Sequence, residues 1–339
     1  MAENIVFQIL RSHLMEGELT PGTPIAIRVD QTLGHDLTGI MAVGADRVQT
    51  EASVFYCDHN TLCVSGENAD DHLFLKTAAA RFGVYFSKPG NGICHFLHCQ
   101  RFARPGKVML GADSHTPTSG ALGMLAIGSG GLTVAEAALG QGFRMNVPKV
   151  MGVKLVGRLH PGVTAKDIAL ELLRQVSVKG GIGYIVEYCG DGVKELSISE
   201  RQTIANMSIE IGATTGIFPS DERTREFLKA QRRESDYVPL QPEEGATYDK
   251  VVEIDLDRLE PLVAEPSMPD KVCTARKAEG VKPGSVFIGS CTNASYSDIA
   301  RAACILKGHK VHKDIDCTVA PGSRQVLAQL IKDGVLADL

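Results

Sequence analysis

The chain has 339 residues, 44% hydrophobic and 22% charged, and its 35 basic and 40 acidic side chains leave a net charge of −5. That length suggests two to three domains of ordinary globular composition and excludes a disordered or low-complexity protein. The acidic balance argues against nucleic-acid binding, and no apolar run reaches the roughly 18–20 residues a membrane-crossing helix needs. Met1–Asn4 lacks the basic start and apolar core of a signal peptide. The nine cysteines are therefore expected as reduced thiols in the cytoplasm, not as a disulfide framework.

Helical and strand patterns alternate along the chain, which predicts α/β architecture with mainly parallel sheets. Ile5, Val6, Ile9, Leu10 and Leu14 have helical spacing. Lys107–Leu110 reads as a short strand entering the polar loop Gly111–Thr116, and Val150–Leu159 as another strand. Thr164 can cap a helix whose apolar face is Ile168, Leu172, Leu173 and Val176. Ser199 and Gln202 have capping-box spacing with Ile198 as a staple, and Asn206 and Glu210 would share a face of the helix that follows. The polar stretch Ser220–Lys250 reads as a surface excursion or domain edge, and Glu265–Asp270 as a boundary. Val251–Leu256 alternates as a strand. Ser285–Ile288 is a strand running into Gly289–Asn293 and a helix near Ser295–Leu306. Asp316–Val319 repeats the scheme into Ala320–Ser323 and a last helix. Ligands of open parallel sheets sit at such carboxyl ends of strands.

Polar clusters stand out in these apolar surroundings: Asp30-Gln31-Thr32, Cys57-Asp58-His59-Asn60, His95, and Asp113-Ser114-His115. A carboxylate beside a histidine can orient the ring and raise its basicity. One such pair is more often a capped turn with a surface histidine. Two pairs at strand ends, with Asn206 and Glu210, favour a site. Ser114 beside His115 carries no Gly-x-Ser-x-Gly elbow, and Gly128-x-Gly130-Gly131 fails the dinucleotide fingerprint and reads as a tight turn. Cys57, His59, Cys63, Cys94, His95, His98 and Cys99 have zinc-ligand chemistry but the spacing of no common zinc module. Cys291 differs: in a turn between strand and helix, backbone amides and the helix amino terminus favour a thiolate, so it reads as a reactive thiol or a metal ligand.

Taken in order, Asp30-Gln31-Thr32, Asp58–Thr61, Gly111–Pro117, Asn206-Met207 with Glu210–Thr215, and Gly289–Asn293 resemble the large, catalytic part of the aconitase and isopropylmalate dehydratase superfamily over nearly the whole chain. Ser295-Tyr296-x-Asp298 is more similar to the aconitate hydratases, the compact bacterial type above all. The resemblance implies three-layer α/β/α domains at about 1–148 and 149–265, with a third begun at 266–339 and the swivel domain absent. It implies a 4Fe–4S cluster with Cys291 as its first ligand and Asn206 and Asn293 near it. It implies that His59, paired with Asp58, protonates the departing hydroxyl. Asp113 with His95, and His115 with Glu210, would hold the hydroxyl or water, and Gln31, Asp113, Ser114 and His115 would bind substrate carboxylates. The reaction implied is citrate to isocitrate through cis-aconitate. Alternatives are a 3-isopropylmalate dehydratase or homoaconitase large subunit, and a non-catalytic domain binding RNA or a partner.

Two departures from the family pattern stand in the sequence. The chain carries no Cys-x-x-Cys, and Cys304 and Cys317 are placed in a helix and a strand, so one of three cluster cysteines is present. The chain alone is thus expected to be inactive, either as a truncation or as half of a split enzyme completed by a separate chain. Second, Met41–Asp46 is several residues shorter than the corresponding family segment.

Overall fold

A computed structural model describes residues 2–36 and 47–339; the short segment Met41–Asp46 lies outside them. Helix α1 (Ile5–His13) is followed by β1 (Leu14–Glu16), β2 (Pro24–Ile27), β3 (Gln31–His35) and β4 (Ala52–Tyr56). Next come α2 (Gly66–Phe82), β5 (Tyr85–Ser87), α3 (Cys94–Arg101), β6 (Val108–Gly111), a 3-10 segment (Thr116–Leu122), β7 (Leu125–Gly128) and α4 (Gly131–Ala138). The middle of the chain forms β8 (Phe143–Asn146), β9 (Lys149–Val156), α5 (Ala165–Val176), β10 (Tyr184–Cys189), α6 (Ile198–Met207), β11 (Thr215–Ile217), α7 (Glu222–Ala230) and β12 (Lys250–Asp255). It closes with β13 (Leu262–Ala264), β14 (Val272–Thr274), β15 (Ser285–Ile288), α8 (Tyr296–Leu306), β16 (Asp316–Val319), α9 (Arg324–Lys332) and α10 (Val335–Asp338).

Two parallel sheets carry the architecture, ordered β5-β4-β3-β6-β7 and β11-β10-β9-β12. All five residues of β3 and all four of β6 are buried. Parallel strands are covered by helices on both faces, so their sequences run apolar instead of alternating. The small antiparallel sheet β1-β2-β8 supports α1, and β15 pairs β16 in parallel beside α8 and α9. The α/β class with mainly parallel sheets is as the sequence predicts.

The two large sheets meet edge to edge at β7 and β11. Thr215 Oγ1 donates to the Ala126 carbonyl, and the Phe218 amide donates to the Gly120 carbonyl at 2.9 Å. A Cβ at Gly120 would stand 1.8 Å from the Gly216 carbonyl oxygen, so glycine is what lets the 3-10 segment touch β11. The amino end of α1 docks on the second sheet through Glu187, which is 0% exposed. Its carboxyl accepts from the Val6 amide at 3.2 Å and from the Tyr248 hydroxyl at 2.8 Å.

Three local readings change. The capping box of α6 is Ser197 with Glu200, two residues before the predicted pair, and Ile198 is the first helical residue. Both pairs fit the motif's spacing; Ser197 has the extended backbone a cap requires. Helix α6 ends at Met207, and a 3-10 turn, Ser208–Ile211, takes Glu210 off the face of Asn206. The strand predicted over Val150–Leu159 ends at Val156, before Gly157 turns with φ +80°. Glu265–Asp270 joins the two strands of the β13–β14 hairpin. Within the polar stretch 220–250, Arg233 caps α3, its guanidinium donating to the carbonyls of Cys99 at 3.1 Å and Ala103 at 2.7 Å.

Gly120→Ala should force the two sheets apart and lower unfolding stability by about 3 kcal/mol, the upper range for overpacking, read by denaturant titration. Burial pushes the Glu187 carboxyl up to about 7, outweighing the hydrogen bonds from Tyr248, Val6 and Ile5. The folded state then holds this proton where the unfolded chain has released it, so stability falls as pH rises. Relative to Glu187→Gln, the protein should lose about 3 kcal/mol between pH 4.5 and 7 and change little above that.

Candidate active site

The site is built at the carboxyl ends of the first sheet. β3 ends in His35 and leads into Asp36, β4 leads into Asp58 and His59, and β6 leads into Asp113, Ser114 and His115. His95 comes from the first turn of α3. Asp113 is the hub. Its Oδ2 lies 3.3 Å from the Nε2 of both His35 and His59, and its Oδ1 lies 3.1 Å from His95 Nε2 and accepts from the His115 amide at 2.7 Å. Burial alone would raise its pKa, but the hydrogen bonds from His35, His59 and His95 together hold it well below the usual carboxylate range.

His59 is held on both ring nitrogens, because Asp58 Oδ1 lies 3.0 Å from its Nδ1. Asp113 first, then Asp58, push its pKa up to about 10 against a smaller loss from burial, so His59 is a cation at neutral pH. Asp58 is itself oriented by the Cys94 amide, which donates to Oδ2 at 2.6 Å. Asp36 shapes the loop from behind, accepting from the amides of Asp58, His59 and Asn60 at 3.2, 3.1 and 2.7 Å.

His115 reaches toward the second sheet. Its Nδ1 donates to the Asn206 carbonyl at 3.2 Å, since a carbonyl can only accept, and this turns Nε2 toward Glu210 Oε1 at 3.7 Å. Asn206, fully buried near the end of α6, donates to Thr118 Oγ1 at 2.9 Å and to the Cys291 carbonyl at 3.4 Å, and accepts from the Thr292 hydroxyl at 3.0 Å. Cys291 Sγ stands 4.0 Å from Asn206 Oδ1. The Cys291 turn has a tight backbone: Ser290 has φ +73°, and a Cβ on Gly289 would meet the Ala320 carbonyl at 2.5 Å. Asn293 donates to Asp298 Oδ1 at 3.3 Å, and its own Oδ1 is buried without a partner among the described residues.

Asp58, His59, His95, Asp113, His115, Glu210, Asn206 and Cys291 thus lie along one connected set of contacts, and Asn293, two residues after Cys291, turns its amide to Asp298. Ser114 sits exposed in the same turn. Gln31 does not join them. Its amide donates to the Phe102 carbonyl at 3.0 Å and its Oε1 accepts from His98 at 2.9 Å. Gln31 opens β3 whereas His35 closes it, about 13 Å further along at the rise of an extended strand. His98 is buried and its pKa pushed down to about 3, so it stays neutral and holds Gln31 in place. Sequence reasoning missed His35 and Asp36. The signal was there: His35-Asp36 is another adjacent histidine–carboxylate pair at a strand end.

The sequence profile of the Aconitase family (aconitate hydratase) matches residues 7–283 and, in an overlapping match, 274–339. The chain belongs to the aconitase family. It is 39% identical to the mitochondrial aconitate hydratase of Arthroderma benhamiae over 98% of its length and 48% of that protein. Identity to the mitochondrial aconitate hydratase of Gracilaria gracilis is 37%, covering 97% of this chain and 47% of the relative. The 3-isopropylmalate dehydratase large subunit 1 of Methanopyrus kandleri is 35% identical, covering 99% and 81%. The chain therefore spans about half the length of the aconitate hydratases it matches and four-fifths of the dehydratase large subunit.

The family uses a 4Fe–4S cluster. Cys291, half-buried at the rim of the site, suits one ligand position. Cys94, the other cysteine near the hub, is fully buried and its thiol is pushed well up, first by burial and then by Asp58 and Asp113. No second cysteine joins Cys291 in a metal-ligand group among the described residues. One accessible thiol does not by itself make a cluster site.

The Nε2 position of His59 should stay protonated through neutral pH, with its imidazole resonances titrating near 10 instead of 6.5. Asp58→Asn should lower that midpoint by at least about one unit, since one pH unit is about 1.4 kcal/mol and this carboxylate is one of two partners. Nuclear magnetic resonance titration of the histidine rings checks both.

Proposed function

We propose that this chain is the catalytic part of a hydro-lyase that removes water from a hydroxy di- or tricarboxylic acid, citrate in the first instance. The observation that carries the reading is the Asp58–His59–Asp113 arrangement: a histidine kept cationic between two carboxylates at the open ends of parallel strands. Such a group holds a proton ready for a departing hydroxyl. Asp58 sets the ring's angle, and Asp113 stabilises the charge until transfer. His95 and His115, with Glu210, would orient the hydroxyl or water, and Ser114, exposed beside them, suits a substrate carboxylate. Gln31, committed to Phe102 and His98, is left out of this set.

The three-domain division at 148 and 265, and the role of Cys291 as first cluster ligand, belong to the same proposal. A further segment, or a separate chain, would supply two more thiolates and the carbon-proton base. The dehydratase relatives are themselves named as large subunits. A 3-isopropylmalate substrate is the second reading, favoured by the 81% coverage of the Methanopyrus kandleri protein. No helix among the described residues is long and apolar enough to cross a membrane. A reducing compartment such as the cytoplasm suits nine free cysteines, although the aconitate hydratase relatives are named as mitochondrial.

The test measures dehydration of citrate and of 3-isopropylmalate after anaerobic iron and sulfide treatment. The 339-residue protein is assayed alone and with the product of the coding sequence downstream of Leu339. We expect no turnover alone and turnover of one hydroxy acid by the pair, reduced about 10²–10⁴-fold by His59→Gln. Turnover by the chain alone, or none by the pair on either acid, overturns the reading.

A further inference from the structure

We propose that Cys63, His72 and Asp36 form a reactive-thiol site that takes up an anionic low-molecular-weight disulfide by thiol–disulfide exchange. The inference is independent of the hydro-lyase reading. Cys63 is exposed in the loop between β4 and α2. The end of that loop is pinned to the helix. The Val64 amide donates to Asn68 Oδ1 at 3.3 Å, and the Asn68 amide donates back to Ser65 Oγ at 3.3 Å. Cys63 Sγ stands 3.4 Å from Nδ1 of His72, which projects from α2.

The other ring nitrogen fixes the tautomer. His72 Nε2 lies 3.3 Å from Asp36 Oδ2. A carboxylate only accepts, so Nε2 carries the proton and Nδ1 turns its lone pair to the thiol. Burial opposes the charge on Asp36, but the amides of His59, Asn60 and Asp58 outweigh it and hold its carboxyl below the usual range. A thiol, a base within hydrogen-bond reach and a buried carboxylate that orients the base together make an activated nucleophile. Cys304, the exposed cysteine of α8, has no such histidine–carboxylate pair among the described residues.

A second observation sets the class of reagent. His72 also lines a groove of about 510 Å³ between α2 and the segment following β5. Its walls carry the exposed cations Lys76 and Lys88 beside Leu73 and Phe86, with no carboxylate among the lining residues. Neither lysine forms an ion pair among the described residues, so the groove favours an anion with a short apolar body. In the exchange, Cys63 gives its proton to His72 Nδ1 and its sulfur attacks one sulfur of the disulfide. The Cys63 S–S bond forms as the reagent's S–S bond breaks, and the departing thiolate leaves with that electron pair and takes the proton from His72. The Cys63 sulfur is oxidised and the departing sulfur reduced, with one thiol consumed and one released. Cys57, buried and pushed up to about 12 chiefly by burial, stays a thiol, so the product is a mixed disulfide and not an internal bridge.

The test uses the 339-residue protein, reduced and then freed of reductant, with adducts followed cysteine by cysteine by peptide mass mapping. Iodoacetamide, which is uncharged, reads the activation. An ordinary thiol is only a few per cent thiolate at neutral pH, so Cys63 should react roughly tenfold or more faster than Cys304. His72→Gln should bring Cys63 down to the rate of Cys304. Dithiodipropionate, a dianionic disulfide, and cystamine, a dication of similar length, read the groove. With each rate taken relative to Cys304, Cys63 should favour dithiodipropionate by roughly tenfold at low ionic strength, and Lys76→Gln with Lys88→Gln should remove the preference. Far-ultraviolet circular dichroism establishes that each variant is folded, and the ratio of the two cysteines in the unmodified protein depends on no variant. Equal iodoacetamide rates at Cys63 and Cys304, full Cys63 reactivity in folded His72→Gln, no preference for dithiodipropionate, or a Cys57–Cys63 bridge in place of the adduct would each overturn the site. All readouts are of thiol adducts, so a missing hydro-lyase activity leaves this result standing.

Discussion

A buried carboxylate needs donors, and Asp113 draws four of them from four different segments. His35 comes from the end of β3, His59 from the loop after β4, His95 from α3, and the His115 amide from its own turn. An ionised carboxylate out of water without such partners is costly. The ends of three parallel strands are thereby held to one geometry. Asp36 repeats the device one layer back, where three backbone amides hold the Asp58–Asn60 loop and hold its carboxyl below the usual range against burial. Reactive side chains on loops are in this way fixed by charge as firmly as core residues are by packing.

The second sheet enters the site through α6 and the seam beside it. Arg201 is fully buried there and donates to both oxygens of Asp221 and to the carbonyls of Pro219 and Val193. This tether, with the close approach of Gly120 to Gly216, sets where the end of α6 stands. Asn206 then spans the 3-10 segment of the first sheet and the Cys291 turn following β15. Packing and site geometry are one problem at this position. A shift of α6 would move the Cys291 turn and the His115–Glu210 pair together.

Much of this was legible in the residues. Continuous apolar runs before polar turns marked the parallel strands. Asp58-His59, Asp113-Ser114-His115 and Gly289–Asn293 marked the polar turns at their carboxyl ends. What misled was local ambiguity. Ser197–Glu200 and Ser199–Gln202 satisfy the same spacing, and only the backbone angle at Ser197 separates them. Asn206 and Glu210 are four apart, but α6 tightens into a 3-10 turn between them. Gln31 has the chemistry of a substrate ligand and opens the right strand, yet its side chain is committed at the far end.

The sequence by itself determined the class of fold, the family, and nearly every residue at the hub. Those follow from periodicity and from motifs a few residues long. Tertiary structure alone decided that His35 belongs with His59 and Asp113, that Gln31 does not, and that Asn206 joins the Cys291 turn to the first sheet. Each of these depends on which end of a strand a side chain occupies and which strand lies beside it. Residues 31 and 35 share one strand, and only the pairing of β3 with β4 and β6 sends the second into the site and the first away from it.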